Sequence, residues 1–527
     1  MAKAKKGHRV PVDAVVHKKA KRTNIPTAEL GSFIATDEAA PKKVLYPRDP
    51  SLDPQLVWKG KDEQDSRPLE VPAVPIYIQE KISPQALIEN LKTEQRRNDD
   101  QPELFAEFNG LEFDKLVDFY KHSQSWTNRL ILGDSLFVMT SLAEKEGLTG
   151  KVQMIYMDPP YGIKFGSNWQ VSTRHRNVRD GKAEDATRQP EQVKAFRDTW
   201  ELKIHSYLTY LRDRLVIARD LLTESGSLFV QIGDENVHLV RCVLDEVFGS
   251  GNFVSLISFA TTSGFQANEL GRAGDYLLWY ARDRDKAKTR SLWVAIDKAE
   301  VAGYRWLRLA NGTYRGLTAS EVRGESGIPA DGRLYKPGDL QSQGAASGDQ
   351  AFEFEGKIYR PSPNSHWKAN FPDGMRRLAT AGRIHVAKGS IQYVRYADDF
   401  GFRAITNMWS DTGTGNFTDE KVFVVQTNTK VVERCVLLTT DPGDLVLDPT
   451  CGSGTSAVVA EHWGRRWITV DTSRVALALA RTRLMTGRYP YYILADRTDG
   501  DVSQGFVYEH VPHVTLKSIA NNPDIKE

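Results

Sequence analysis

The stretch Asp444-Leu445-Val446-Leu447-Asp448-Pro449-Thr450-Cys451-Gly452-Ser453-Gly454-Thr455 reads as a strand, a tight glycine loop and the start of a helix. Apolar Leu445 to Leu447 precede the glycines and Ala457-Val458-Val459-Ala460 follow them. Glycines at such a turn let the backbone approach a ligand closely. Only Gly452-x-Gly454 is present, with Ala457 where a dinucleotide fingerprint wants its third glycine and no Lys to grip phosphates. Nicotinamide and nucleoside-triphosphate chemistry are therefore disfavoured. Downstream, Arg466-Trp467-Ile468-Thr469-Val470-Asp471 reads as a second strand ending in a carboxylate, the place where open α/β sheets hold ribose hydroxyls. A glycine loop alone is equally an ordinary strand-to-helix turn. Followed by this acid, it reads as a site for a small adenosine-bearing cofactor.

Working outward toward the N-terminus, the apolar run Val152-Gln153-Met154-Ile155-Tyr156-Met157 ends in Asp158-Pro159-Pro160-Tyr161. A Pro-Pro pair can simply stop a strand. At a strand's mouth, however, the tetrapeptide also provides a carboxylate acceptor, a rigid backbone carbonyl and a stacking ring, the parts that grip an amino-bearing base.

Together these residues resemble the amino-directed DNA methyltransferases of the beta class, in which the catalytic tetrapeptide precedes the cofactor loop. The adenine-specific modification subunits of type III restriction systems are the nearest likeness, over roughly residues 125 to 490. The resemblance implies a doubly wound, mostly parallel seven-stranded α/β sheet with an inserted target-recognition domain and an extended N-terminal region. It implies S-adenosylmethionine as cofactor, contacted by the loop from Asp448 through Gly452 and Gly454, with Asp471 on its ribose. Asp158, Pro159, Pro160 and Tyr161 would hold the target base. Arg129-Leu130-Ile131-Leu132-Gly133-Asp134 resembles the turn whose carboxylate lies near the cofactor's adenine, and Gln426-Thr427-Asn428-Thr429-Lys430 the segment at its methionine end, through Thr427 and Lys430. The chain departs from the family at Val431, where a proline is usual, and at Thr450, where an aromatic is usual. Asp at the first tetrapeptide position goes mostly with adenine, so N6 of adenine is the expected target and N4 of cytosine the alternative. A catalytically silent DNA-binding specificity subunit would keep the fold without these residues intact.

Duplex DNA is the implied substrate; a restriction subunit and a second copy of the chain are the candidate protein partners. No nuclease or helicase motif is recognisable. The net charge of +2 on 527 residues is nearly neutral, so nucleic-acid contact must come from local charge. Residues 1 to 22 hold eight Lys or Arg against one Asp, which reads as a solvated terminus or a phosphate-contacting arm. Between residues 260 and 410, 22 Lys or Arg face 16 Asp or Glu, interleaved with aromatics such as Tyr304-Arg305-Trp306 and Tyr393-Val394-Arg395-Tyr396. Those rings either fill a small β-rich core or stack on bases.

The expected organisation is a basic arm and accessory region (1–125), a catalytic half (126–282), a target-recognition insertion (283–410), a cofactor-binding half (411–495) and a C-terminal tail (496–527). Asp234 and Glu235 read as surface acids, and the strand Gly226 to Ile232 as scaffold. Cys242, Cys435 and Cys451 have no metal or disulfide spacing and lack the Pro-Cys context of carbon-5 cytosine methylation. No metal is expected. No apolar run reaches membrane-spanning length, and a cytoplasmic location is expected.

Overall fold

The computed structural model describes residues 10–14, 16–23, 42–46, 56–74, 79–82, 128–160, 204–261, 270–296, 303–413, 427–496 and 501–526. Two compact units divide the chain: Ala14–Leu292 with Ile405–Val507, and Trp293–Ala404 with Met1–Asp13 and Tyr508–Glu527.

The larger unit is built on a nine-stranded sheet. In chain order its strands are β1 (Gln79–Ile82), β2 (Asn128–Leu132), β3 (Val152–Met157), β4 (Leu222–Ile232), β5 (Phe253–Ala260), β6 (Gly274–Ala281), β7 (Met408–Trp409), β8 (Leu445–Asp448) and β9 (Arg466–Asp471). Their spatial order is β7-β5-β6-β4-β3-β8-β9-β2-β1. The strands β4, β3, β8, β9 and β2 are mutually parallel, and β5–β6 is the antiparallel hairpin beside them. The seven-stranded frame expected from sequence is thus extended by one short strand at each edge.

Helices cover both faces. All six residues of β3 are buried, as a strand sandwiched between two layers requires. Its Ile155 and Met157 join one core with Ser135–Glu144 (α1), Ile204–Leu221 (α2) and Val237–Phe248 (α3). Its Met154 and Tyr156 join the opposite core with Thr429–Thr439 (α4), Thr455–His462 (α5) and Arg474–Thr486 (α6). Asp134, Asn428 and Ser473 cap α1, α4 and α6 by accepting from Leu136, Lys430 and Ala476 backbone N–H groups.

Part of the accessory region is drawn into this core. Trp58, Leu69 and Val71 are buried against α2 and its neighbours. A buried charge cluster secures them: Arg212 pairs with Asp65 at 2.6 Å and with Glu246, and Lys61 pairs with Asp65 at 2.8 Å and Glu246 at 3.4 Å. Within the basic N-terminal segment, Val16–Thr23 is a strand paired with Arg488–Tyr492.

The smaller unit holds a five-stranded antiparallel sheet, ordered Tyr314–Gly316, Trp306–Arg308, Arg333–Gly338, Ser390–Tyr396, Ile384–Ala387. The segment after Phe506, which shows no terminal element in sequence, belongs here. Tyr508–Val511 pairs with Val10–Ala14, and the helix Leu516–Ala520 buries Ile519 and Ala520 beside Met375 and Leu378. Its sequence signal is short: a capping box from Thr515 to Ser518 and two apolar residues.

Replacing Arg212 by Leu leaves Asp65 and Glu246 with less compensation in a buried setting, where breaking such a pair costs about 3–5 kcal/mol. The expected outcome for Arg212→Leu is a loss of that order in urea titration, with the slope of the transition unchanged.

Candidate active site

The parallel strands place four chain turns side by side at their C-terminal ends. Gly133 and Asp134 follow β2, Asp158 follows β3, Asp448 closes β8 and Asp471 closes β9. The chain runs from β3 outward to β4 in one direction and from β8 outward to β9 in the other, so β3 and β8 flank the topological switch point. Open α/β sheets bind ligands at that crevice.

At the switch point Thr450 ties the two loops together. Its hydroxyl accepts from the Asp158 backbone N–H at 2.8 Å and lies 3.2 Å from Asp448 Oδ1, to which it donates. The Thr450 N–H reaches the same oxygen at 2.9 Å. Thr450, a departure from the family pattern, is therefore the hinge pin between the tetrapeptide and the glycine loop. An aromatic residue there has no hydroxyl positioned to make these bonds.

The glycine loop is shaped by its backbone. Gly452 and Gly454 have φ of 52° and 73°, in the left-handed region that favours glycine. A Cβ on Gly454 would meet Ala480 Cβ at 2.7 Å. Asp471 Oδ2 accepts from Gly452 N–H at 2.9 Å, and its Oδ1 from Ser473 N–H at 2.8 Å. Gly133 N–H donates to the Asp471 carbonyl at 3.0 Å, which brings the Gly133-Asp134 turn beside the same carboxylate. Asp134 Oδ1 takes both the Leu136 N–H at 2.8 Å and Arg214 at 2.5 Å.

Asp158 is half-buried, with Pro159 buried behind it. The Thr427 hydroxyl lies 3.3 Å from Asp158 Oδ2 and 3.1 Å from Gln231 Oε1, and Tyr156 donates to that same Gln231 oxygen at 2.6 Å. Gln231 belongs to the strand that sequence reads as scaffold, and Tyr156 to the apolar run that leads into Asp158. The available signal was Gln231 itself, an amide near the end of an otherwise apolar strand. The Lys430 ammonium pairs with Asp411 at 2.6 Å, beside Arg434. Asp234 and Glu235 are exposed and hold Arg272, which also pairs with Asp275 at 2.5 Å. Tyr161 lies outside the described residues.

Three of these carboxyls are held well above the usual range. Burial, reinforced by the charges of Asp448 and Asp275, pushes Asp158 up to about 8, against the opposing hydrogen bond from Thr427. Burial pushes Asp448 to about 6, opposed by hydrogen bonds from Ser456 and Thr450. Burial does the same to Asp471, also to about 6, opposed by the Ser473 and Gly452 N–H groups.

Residues 152–482 match the N6_N4_Mtase family of DNA methylases. The chain belongs to this family. Among its relatives, the type II methyltransferase M.EcaI of Enterobacter cloacae is 26% identical over 64% of this chain and 66% of its own length. The StyLTI Mod subunit of a type III restriction-modification enzyme from Salmonella typhimurium is 25% identical over 75% of this chain and 58% of its own. The chain thus spans somewhat less than two thirds of the length of these relatives. A solved complex of M1.HpyAVI with SAM aligns with 67% of this chain and 98% of its own, at 12% identity and a TM-score of 0.31.

Because the folded-state values of Asp158, Asp448 and Asp471 are raised, their contribution to stability is full below 3.8 and is lost as pH rises through about 6 and then about 8. Asp411, lowered by Arg434 and Lys430 against its burial, acts with the opposite sign and below this window. Thermal unfolding of the ligand-free protein is expected at falling temperature from pH 4 to 8, and Asp158→Asn should flatten the part of the fall above pH 6.

Proposed function

We propose that the chain is a site-specific DNA methyltransferase that moves a methyl group from S-adenosylmethionine to the exocyclic N6 amine of adenine in a flipped-out base. The observation that carries this reading is the Thr450 bridge, which holds the Asp158 turn against the Asp448–Gly454 loop. An amine acceptor and a loop open to close ligand approach are thereby joined by one side chain.

The fit to the cofactor rests on the loop. Left-handed Gly452 and Gly454 expose backbone to a ligand, and the Asp471 carboxylate, held by the Gly452, Ser473 and Thr472 N–H groups, keeps acceptor capacity for a ribose hydroxyl. Asp134, on the turn beside Asp471, is the candidate neighbour for the adenine ring. Thr427, beside Asp158, is the candidate for the methionine end. When bound, the cofactor supplies an electrophilic methyl group on a sulfonium.

An aromatic amine is a poor nucleophile because its lone pair is drawn into the ring. Asp158 accepting one N–H and the Pro159 carbonyl the other would draw the nitrogen toward tetrahedral geometry and free that pair. The proline rings fix the carbonyl's direction. After transfer the nitrogen carries one proton too many, and an Asp158 carboxylate whose conjugate acid ionises at about 8 is matched to take it. Tyr161 would stack on the base, which must leave the duplex to reach the mouth. Cys435 and Cys451 are buried and their thiols are pushed up by that burial, which speaks against covalent attack on carbon 6 of cytosine.

Asp at the first tetrapeptide position supports adenine over cytosine. The DNA-methylase family supports DNA as substrate, and the Mod-subunit relatives support a restriction subunit as partner. Among the described residues no helix is long and apolar enough to cross a membrane.

Purified protein is expected to transfer labelled methyl to duplex DNA, and Asp158→Ala to lower the rate by about 10²–10³-fold or more; undiminished transfer by that variant would sink the mechanism. Modification-sensitive sequencing of DNA from expressing cells should report N6-methyladenine, and an N4-methylcytosine signal would reverse the choice of base. A plot of kcat/KM, which reports the free enzyme, should rise with pH through an inflection near 8, where half of Asp158 has ionised, and level only above it.

A further inference from the structure

The smaller unit has a cavity of about 550 Å³ of its own. Its size is within the range of small-molecule sites. One wall is a set of rings that hold one another: Phe400 stacks on His513 at 4.0 Å, Trp293 meets Phe400 edge-on at 5.0 Å, and Phe402 lies 5.6 Å from Phe400. Tyr304 lines the same space.

Two buried polar groups of the lining are incompletely paired. Asp399, 3% exposed, receives Arg383 at 2.6 Å and the Tyr396 N–H at 2.8 Å, both on Oδ2. Its Oδ1 has no hydrogen-bond partner among the described residues, and neither has the hydroxyl of Tyr393, which is also 3% exposed. Buried polar atoms in folded proteins are nearly always bonded, so two such atoms on one cavity ask for a ligand.

The charges point the same way. Lys336 stands directly opposite Arg395 in the antiparallel pair of Arg333–Gly338 with Ser390–Tyr396. Like charges in that position repel. Among the described residues neither cation has a carboxylate partner; Lys336 lies 4.8 Å over the Tyr304 ring. The Asp399 charge is matched by Arg383, which leaves the cavity cationic. An adjoining cavity of about 530 Å³ shares Tyr393 and Arg395 and adds Lys517 and the ion pair of Lys368 with Asp339.

We propose that this cavity binds a nucleotide, with its base against the ring wall and an N–H of that base donated to Asp399 Oδ1, and its phosphate between Lys336 and Arg395. Rings, a lone acceptor and a facing pair of cations are the elements such a ligand needs. The site is built wholly from the smaller unit and uses none of the residues assigned to methyl transfer. Its ligand is a free nucleotide or a nucleotide displaced from a DNA strand; the chemistry is shared.

The test is calorimetric titration of the full chain, saturated with S-adenosylhomocysteine, with the four deoxynucleoside monophosphates, their nucleosides and inorganic phosphate. At least one monophosphate should bind saturably, its nucleoside about tenfold or more weakly. The exposed-face variant Lys336→Ala/Arg395→Ala should lose about tenfold or more while keeping its circular dichroism spectrum. Asp399→Asn should change the order of preference among the bases. Asp158→Ala should bind as the parent does, which separates this site from the methyl-transfer reading. A duplex bearing one extrahelical nucleotide, compared with the same duplex fully paired, identifies a strand as the source if it binds more tightly in a Lys336- and Arg395-dependent way. Absence of saturable binding by every monophosphate, or binding unchanged in the double variant, would overturn the proposal.

Discussion

The parallel pairing of Val152–Met157 with Leu445–Asp448 is the constraint on which the larger unit depends. Val446 lies opposite Met154 and Leu447 opposite Ile155, in the middle of the sheet. The residues tied across the mouth of this pair, Asp158 and Thr450, are 292 positions apart in the chain. Register in a strand buried on both faces is strongly specified, because a slip of one residue exchanges the two cores. That exchange would carry Ile155 and Met157 from the core of α1 to α3 into that of α4 to α6. It would also part the Asp158 N–H from the Thr450 hydroxyl. The site is thus a consequence of core packing rather than an addition to it.

The electrostatics of the mouth narrow its ligands. Asp158, Asp448 and Asp471 line one mouth, and the charge of Asp448 raises both Asp158 and Asp471. Three ionised carboxylates so placed repel one another, so the mouth favours positive charge or an amine that donates hydrogen bonds, and disfavours phosphate. The glycine loop opens a helix, a feature that elsewhere receives anions. Here Asp471 already takes the Gly452 N–H. The absence of a phosphate-gripping Lys after Gly454 and this carboxylate cluster are two expressions of one preference.

Much of the larger unit is legible in the sequence because its elements are long and strongly patterned. The strand at 152–157, the helix at 204–221, the hairpin at 253–281 and the turn from Asp448 to Thr455 all combine apolar runs with clear punctuation. The parts of the site that were not legible are single polar residues whose meaning depends on contacts between distant segments. Gln231 looks like one more residue of a buried strand until Tyr156 and Thr427 converge on its oxygen. Thr450 looks like a blemish in a motif until it is seen to bond Asp158. Lys430 likewise pairs with Asp411, a partner 19 positions away that only folding brings to it. Residues 508–520 escaped notice because short elements carry little periodicity and draw their stability from a partner surface, here the core around Met375 and Leu378.

The stretch Trp293–Ala404 leaves the larger unit and returns to it at a single place. Ile405 N–H donates to the Leu292 carbonyl at 3.1 Å, so the two ends are bonded before the smaller unit begins. Immediately beyond, Trp293–Ala295 pairs antiparallel with Phe402–Ala404 as a two-stranded stem. Closing a long loop costs only slightly more than closing a short one once its ends are fixed together. The neighbouring strand β7 keeps its pairing with β5 through Met408 and Trp409. The stretch between these ends can therefore differ in size or content without disturbing the register of β3 and β8. The stem also carries Trp293 and Phe402, so the residues that join the insertion to the sheet are the same residues that begin its aromatic wall.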